Sequence, residues 1–279
     1  MILPMKTSPS QPVLIFLHLP KTAGSTLLRI IEQQYNSDAV LELYTSSFGE
    51  ELKSIPRGQL AEKRLITGHF YFGVHTHIPG PATYITLLRD PIDRIISHYY
   101  FVQRNPTHYL YASTREMNLQ EYVKFCDRAE PNNDQTRLLA GIDYASNSGN
   151  CSPEMLPVAK QNLREHFTVA GITEEFDRSM LLMKRIFGWK TPFYVKQNVT
   201  RQRPSKEQIS KETLRVIQEF NDLDIELYHH GKALFQQQLH AQKSAVEKEL
   251  RLFSVLNISY NKVHRLVSST AGKLGLTQA

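Results

Sequence analysis

The stretch from Pro12 to Tyr35 constrains the fold more than any other part of the chain. It passes from an apolar run, Val13 to His18, through the loop Leu19-Pro-Lys-Thr-Ala-Gly-Ser-Thr26, into a segment with Leu27, Leu28, Ile31 and Tyr35 at helical spacing. Apolar residues at successive positions describe a strand buried on both faces, as in a parallel sheet. The helical segment keeps Arg29, Glu32 and Gln33 for water. A loop running from such a strand into a helix N-terminus offers unpaired backbone N–H groups and a positive dipole end to an anion. Here Gly24 permits close backbone approach, Lys21 adds a mobile cation, and Thr22, Ser25 and Thr26 add hydroxyls. The pattern is a phosphate or sulfate cradle. It is not the nucleoside triphosphate loop G-x-x-x-x-G-K-[ST], because Lys21 precedes Gly24 instead of following it.

A second unit repeats the form. Tyr84-Ile-Thr-Leu-Leu88 is strand-like, and Ile92, Ile95, Ile96 and Tyr99 mark one helix face. Asp90 suits the N-cap of that helix, Pro91 its first position, and Asp93 its first turn. Between the units, Arg64 to Gly68 suggests a third strand, followed by a loop from His69 to Gly80. Alternating strands and helices imply an α/β fold, a three-layer parallel sheet flanked by helices. The later segments Leu119 to Ala129, Pro157 to Arg164, Glu174 to Phe187, Lys206 to Phe220 and Asp224 to His240 are helical in pattern, with the strand-like Thr168 to Ile172 among them. Ser205 and Gln208 form a capping box. We expect one domain over 1–240 and a helical extension or tail over 241–279.

With 279 residues, 41% of them hydrophobic and 22% charged, the chain can bury one sizeable core. A net charge of +6 favours anionic partners without choosing among them. No basic stripe interleaved with aromatics argues for nucleic acid. Cys126 and Cys151 are too few for a disulfide framework, and the run Val13 to Leu17 is too short for a membrane span or a signal core. These features lead us to expect a cytoplasmic enzyme, with a truncated Golgi-lumenal domain as the alternative.

The segments His18-Leu-Pro-Lys-Thr-Ala-Gly-Ser25 and Arg89-Asp-Pro-Ile-Asp-Arg-Ile-Ile-Ser97 resemble the two motifs of the sulfotransferases that use 3′-phosphoadenosine 5′-phosphosulfate (PAPS), above all the heparan sulfate 2-O- and related carbohydrate sulfotransferases. The resemblance implies a phosphate-loop fold with a helical C-terminal part, PAPS as co-substrate, 3′,5′-ADP as product, no required metal and a saccharide hydroxyl as acceptor. It assigns Lys21, Thr22, Ala23, Gly24, Ser25 and Thr26 to the 5′-phosphosulfate, and Arg89 with Ser97 to the 3′-phosphate. An Arg at a strand end offers a planar fork to phosphate oxygens, and a Ser two helical turns on can add a hydroxyl from the same side. By the same resemblance His69, in Thr67-Gly-His-Phe70, is the catalytic base and Lys21 stabilises the leaving oxygen. Arg201 and Arg203, in the basic segment Gln197 to Pro204, are candidates for covering the nucleotide. His75 and Arg137 are candidate acceptor contacts. Softer matches, Asn133-Asp-Gln-Thr-Arg137 and Asp224-Ile-Glu-Leu-Tyr-His-His, resemble segments that shape the acceptor cleft and close the fold.

Arg94 is expected to be exposed and solvated, and Asp90 to be an N-cap and not a magnesium ligand. His69, His75 and His77 lack the Cys or clustered carboxylates that would complete a metal site. Two other readings stay open: an ATP-dependent phosphate-loop kinase and a non-catalytic nucleotide-binding module.

Overall fold

The computed structural model describes residues 11–44, 47–125, 130–142, 151–195 and 204–273, with side chains as far as 264. Strands β1 (Val13–Leu17), β2 (Val40–Leu43), β3 (Leu65–Gly68), β4 (Ala82–Leu88) and β5 (Phe167–Ile172) form one sheet in the order β2-β3-β1-β4-β5. Every pairing is parallel. The helices are α1 (Gly24–Glu32), α2 (Phe48–Ser54), α3 (Arg57–Glu62), α4 (Pro91–Gln103), α5 (Tyr111–Thr114), α6 (Leu119–Phe125), α7 (Asp134–Ala140), α8 (Met155–His166), α9 (Phe176–Phe187), α10 (Lys211–Glu219) and α11 (Asp222–Lys273). The expected flanked parallel sheet is therefore present.

All residues of β1 and β3 are buried. Successive side chains on a strand point to opposite faces, so both faces of the sheet centre are covered. Each of the five β1 side chains contributes about 1.5–3 kcal/mol relative to exposure. From β1 the chain goes to β2 and β3 on one side, then crosses to β4 and β5 on the other. The carboxyl ends of β1 and β4 flank this switch in direction, where open α/β sheets form a crevice. Both motif segments start there.

α4 begins as its sequence dictates: Asp90 accepts from the Asp93 amide at 3.1 Å, with Pro91 in the first turn. It is anchored in a satellite apolar cluster made of Ile95, Ile96 and Val102 with Leu119, Tyr122 and Val123 of α6 and Val216 and Ile217 of α10. The Ser205/Gln208 box is present, but it closes a single 3₁₀ turn, Lys206–Gln208. A new cap, Ser210 accepting from the Thr213 amide, then starts α10, so 206–220 is two elements where one was expected. β2 was not foreseen: as an edge strand it keeps exposed and half-buried residues and lacks a clean apolar run. α11 continues unbroken through 240 and packs Val246 and Phe253 into the main core, so the expected boundary falls inside a helix.

The interior carries an unusual polar joint. Every residue of α7 is buried. Asp224, at the start of α11, accepts from the Gln135 amide at 3.2 Å and the Thr136 amide at 2.7 Å, while Asn133 accepts from the Asp224 amide at 2.9 Å. Two helix N-termini thus cap each other, answering the donors that each helix leaves unpaired. Arg94 completes the joint, 3.1 Å from Asp134 and 3.8 Å from Asp224. Arg94 is fully buried, which corrects the expectation of a solvated residue. Its charge is needed where two carboxylates are removed from water.

Candidate functional site

The loop after β1 departs from ordinary backbone. Lys21 (φ 66°) and Ala23 (φ 65°) both take the left-handed conformation without being glycine, a strained choice that persists only where surroundings hold it. They do. Arg89 donates to the Lys21 carbonyl at 2.8 Å, and Thr173 donates to the Thr22 carbonyl at 2.7 Å. A peptide's C=O and N–H point in opposite directions, so holding these two carbonyls turns the Thr22 and Ala23 amides the other way. Among the described residues the backbone N–H groups of Thr22, Ala23, Gly24 and Ser25 have no protein partner. The Thr22 hydroxyl is buried and donates to Leu19 O at 2.9 Å, stapling the loop from inside. Thr26 is also buried, and Ser25 is half-buried in the first turn of α1.

Gly24 serves an unexpected neighbour. A Cβ there would lie 2.0 Å from His18 Cδ2. The missing side chain makes room for the His18 ring, which stacks on Phe16 at 5.3 Å and meets His69 at 4.2 Å. Burial, then His69 and Lys21, lower the His18 pKa to about 3, so it is a neutral spacer between the loop and His69.

His69 is placed by Gly68, whose φ of +148° and lack of a Cβ let Leu43 O approach to where a Cβ would sit at 1.7 Å. The turn brings His69 Nδ1 to 2.8 Å from His18 O. A carbonyl can only accept, so Nδ1 carries the proton in the neutral ring and Nε2 keeps its lone pair. The His18 ring packs against that of His69, while His69 as a whole remains exposed. Burial lowers the His69 pKa against opposing contributions from the His18 carbonyl and Glu130.

Lys21 Nζ lies 3.7 Å from the centroid of Phe101 on α4, a cation–π contact. Burial, then Arg89 and Arg104, lower its pKa to about 8. Ser97 sits four residues before Phe101, on the same strip of α4, and is itself buried. Arg89 is held by a two-point clamp: its amide donates to Gln135 Oε1 at 3.0 Å and its carbonyl accepts from Gln135 Nε2 at 3.0 Å. The loop, His69, Arg89 and the Ser97–Phe101 strip are thereby gathered at the carboxyl edge of the sheet.

Other expected site residues lie elsewhere. His75 bonds the Tyr84 hydroxyl at 2.9 Å and packs on His166, just before β5 begins, toward the opposite end of the strands. Arg137 is fully buried within α7, with Asn132 O at 3.3 Å from its guanidinium, so it presents nothing to an acceptor. Arg201 and Arg203 lie outside the described residues. His18, Phe101 and Gln135 were not foreseen as site residues. His18 opens the first motif and Gln135 falls within Asn133 to Arg137, but nothing local shows their partners.

Among the described residues no helix is long and apolar enough to cross a membrane. The sequence profile described as galactose-3-O-sulfotransferase matches residues 2–257. Heparan-sulfate 6-O-sulfotransferase 1 of Cricetulus griseus is 30% identical over 86% of this chain and 71% of its own length. The Homo sapiens protein of the same name is 28% identical over 86% of this chain and 69% of its own. A crystal structure of a sulfotransferase from Alicyclobacillus acidocaldarius, 14% identical, aligns with 81% of this chain and 96% of that one at a TM-score of 0.43. On the sequence matches, the chain belongs to the galactose-3-O-sulfotransferase family.

Proposed function

We propose that this sulfotransferase takes its sulfuryl group from PAPS and delivers it to a saccharide hydroxyl, with His69 as general base. The observation that carries the reading is the bond from His69 Nδ1 to His18 O. It fixes a base with its lone pair on Nε2, one ring's thickness from an anion cradle. The unpartnered amides of Thr22 to Ser25 and the Lys21 ammonium suit the phosphosulfate end of the donor. Arg89 and Ser97 suit its 3′-phosphate. PAPS supplies an activated sulfuryl group and leaves as 3′,5′-ADP. His69 Nε2 accepts the proton of the acceptor hydroxyl, and Lys21 holds positive charge beside the loop where negative charge collects.

The donor test uses thermal stabilisation. 3′,5′-ADP without magnesium should raise the melting midpoint strongly, because ligand at 100 times its Kd adds about 2.7 kcal/mol, and ATP should raise it little. Stronger protection by magnesium-ATP, or equal protection by AMP and 3′,5′-ADP, overturns the assignment.

The pH profile follows from the two titrating groups. His69 acts when neutral, so kcat/KM should fall as pH drops through its pKa, which burial places below 6.5. Lys21 acts when protonated, so activity should also fall as pH rises past about 8. Lys21→Arg, charged throughout, should remove the alkaline limb. An alkaline limb unchanged in that variant removes Lys21 from the role.

A further inference from the structure

We infer that the outward face of α11 near its C-terminal end docks onto an anionic lipid surface. Leu252, Val255, Leu256 and Val263 enter the boundary between headgroups and acyl chains, and Lys248, Arg251 and Lys262 meet the phosphates. None of the residues assigned to sulfuryl transfer takes part.

Of the eleven large hydrophobic side chains exposed among the described residues, six lie between 252 and 263. Exposed apolar residues scattered singly are ordinary, whereas a contiguous patch marks a contact. Leu252, Val255 and Val263 are 63%, 63% and 59% exposed. Val255, Leu256, Ser259 and Val263 follow Leu252 by three, four, seven and eleven residues, the repeat of one helix face. The opposite face is already occupied. Phe253 is buried in the main core, with Phe193 stacked on it at 6.0 Å. The Tyr194 amide donates to Asn257 Oδ1 and its carbonyl accepts from Asn261 Nδ2, each at 2.9 Å. The helix is thus fixed to the body by one side and shows its second apolar side outward.

Charge decides what can cover that side. Lys248 and Arg251 precede Leu252 by four residues and one, and Lys262 follows it by ten, so all three stand on the outward side. Each is exposed, and among the described residues none has a carboxylate within ion-pair distance. The neighbouring carboxylates are drawn to α9 instead: Arg178 lies 2.7 Å from Glu247, and Lys184 and Arg185 pair with Glu249. After Glu249 the sequence has no Asp or Glu as far as residue 279, and the helix adds Arg265 and Lys273. A second copy of the chain would set like charge against like charge in either orientation. A soluble polyanion would answer the cations but leave the apolar side chains in water. An anionic bilayer answers both, since aliphatic groups enter the acyl boundary and the longer cationic chains reach back to phosphate. The helix then lies on the membrane without crossing it.

The test is co-sedimentation of the whole chain with vesicles of phosphatidylcholine alone or mixed equally with phosphatidylglycerol. Binding should be at least about tenfold tighter to the mixed vesicles and should weaken with added salt. Arg251→Gln and Lys262→Gln should each weaken it about fivefold. Leu252→Ser and Leu256→Ser should each weaken it about tenfold, and because these side chains point outward the melting midpoint should stay where it is. Equal binding to both kinds of vesicle overturns the proposal, as does binding that survives the two Ser substitutions combined. A concentration-dependent dimer that the same pair dissolves would assign the face to a second copy and overturn it too. So would heparin binding that needs Arg251 and Lys262 in a chain that leaves the mixed vesicles unbound.

Discussion

Replacing His69 with Ala is expected to lower kcat by about 10²- to 10⁴-fold, the range general-base catalysis supplies, while 3′,5′-ADP stabilises the variant as it does the parent. The separation of effects follows from how His69 is held. Among the described residues its hydrogen bond to the scaffold runs through Nδ1, which bonds His18 O at 2.8 Å, and leaves Nε2 for the site. Losing that bond costs about 1 kcal/mol of stability, and the loop amides that suit the donor are braced by Arg89 and Thr173, not by His69. His69→Asn can still donate toward His18 O but has no basic nitrogen, so it should be as slow as Ala. Added imidazole should restore part of the Ala variant's turnover. A kcat within about threefold of the parent, or a loss matched by lost nucleotide stabilisation, rules out the base assignment.

Asp224→Ala should destabilise the fold by about 3–5 kcal/mol, read from the denaturant midpoint. Asp224 is fully buried. It takes two amides at the head of α7, the Thr136 hydroxyl at 2.8 Å and the Gln135 side chain at 3.4 Å, and lies 3.8 Å from Arg94. Ala leaves buried donors unanswered at about 1–3 kcal/mol each and withdraws one of the charges facing Arg94. Asp224→Asn keeps the shape and one acceptor and should lose less. Because Gln135 clamps Arg89, the folded fraction of Asp224→Ala should also bind 3′,5′-ADP more weakly. A change under about 1 kcal/mol would mean that α7 can be capped from elsewhere.

What could be foretold from the residues was mostly local. The run Val13 to Leu17 and the Asp90-Pro91 start of α4 follow from patterns within a few residues, and the fold keeps them; Lys21, His69 and Arg89, singled out with the help of the family resemblance, lie at one edge of the sheet. What escaped depends on distant partners. Arg94 looks like a solvated helix residue until Asp134 and Asp224 are folded against it. Asn133 to Arg137 was matched to a segment that shapes the acceptor cleft, yet it is buried because α11 supplies its acceptors from nearly ninety residues away. Gly24 was assigned to the ligand, and the sequence did not show that the space of its missing side chain is taken by the ring of His18. The edge strand β2 lay unnoticed because it has no strong apolar signature of its own.

The bracing of the Lys21 and Thr22 carbonyls bears on how fast the nucleotide can come and go. A loop already held in left-handed turns by Arg89 and Thr173 does not wait for its guest to shape it. Encounter should then follow a single exponential whose rate rises linearly with nucleotide concentration, without the plateau that a slow rearrangement imposes. Undoing one brace, as in Thr173→Val, would turn a ready-made receptor into one that must be moulded at each turnover, and the plateau would appear.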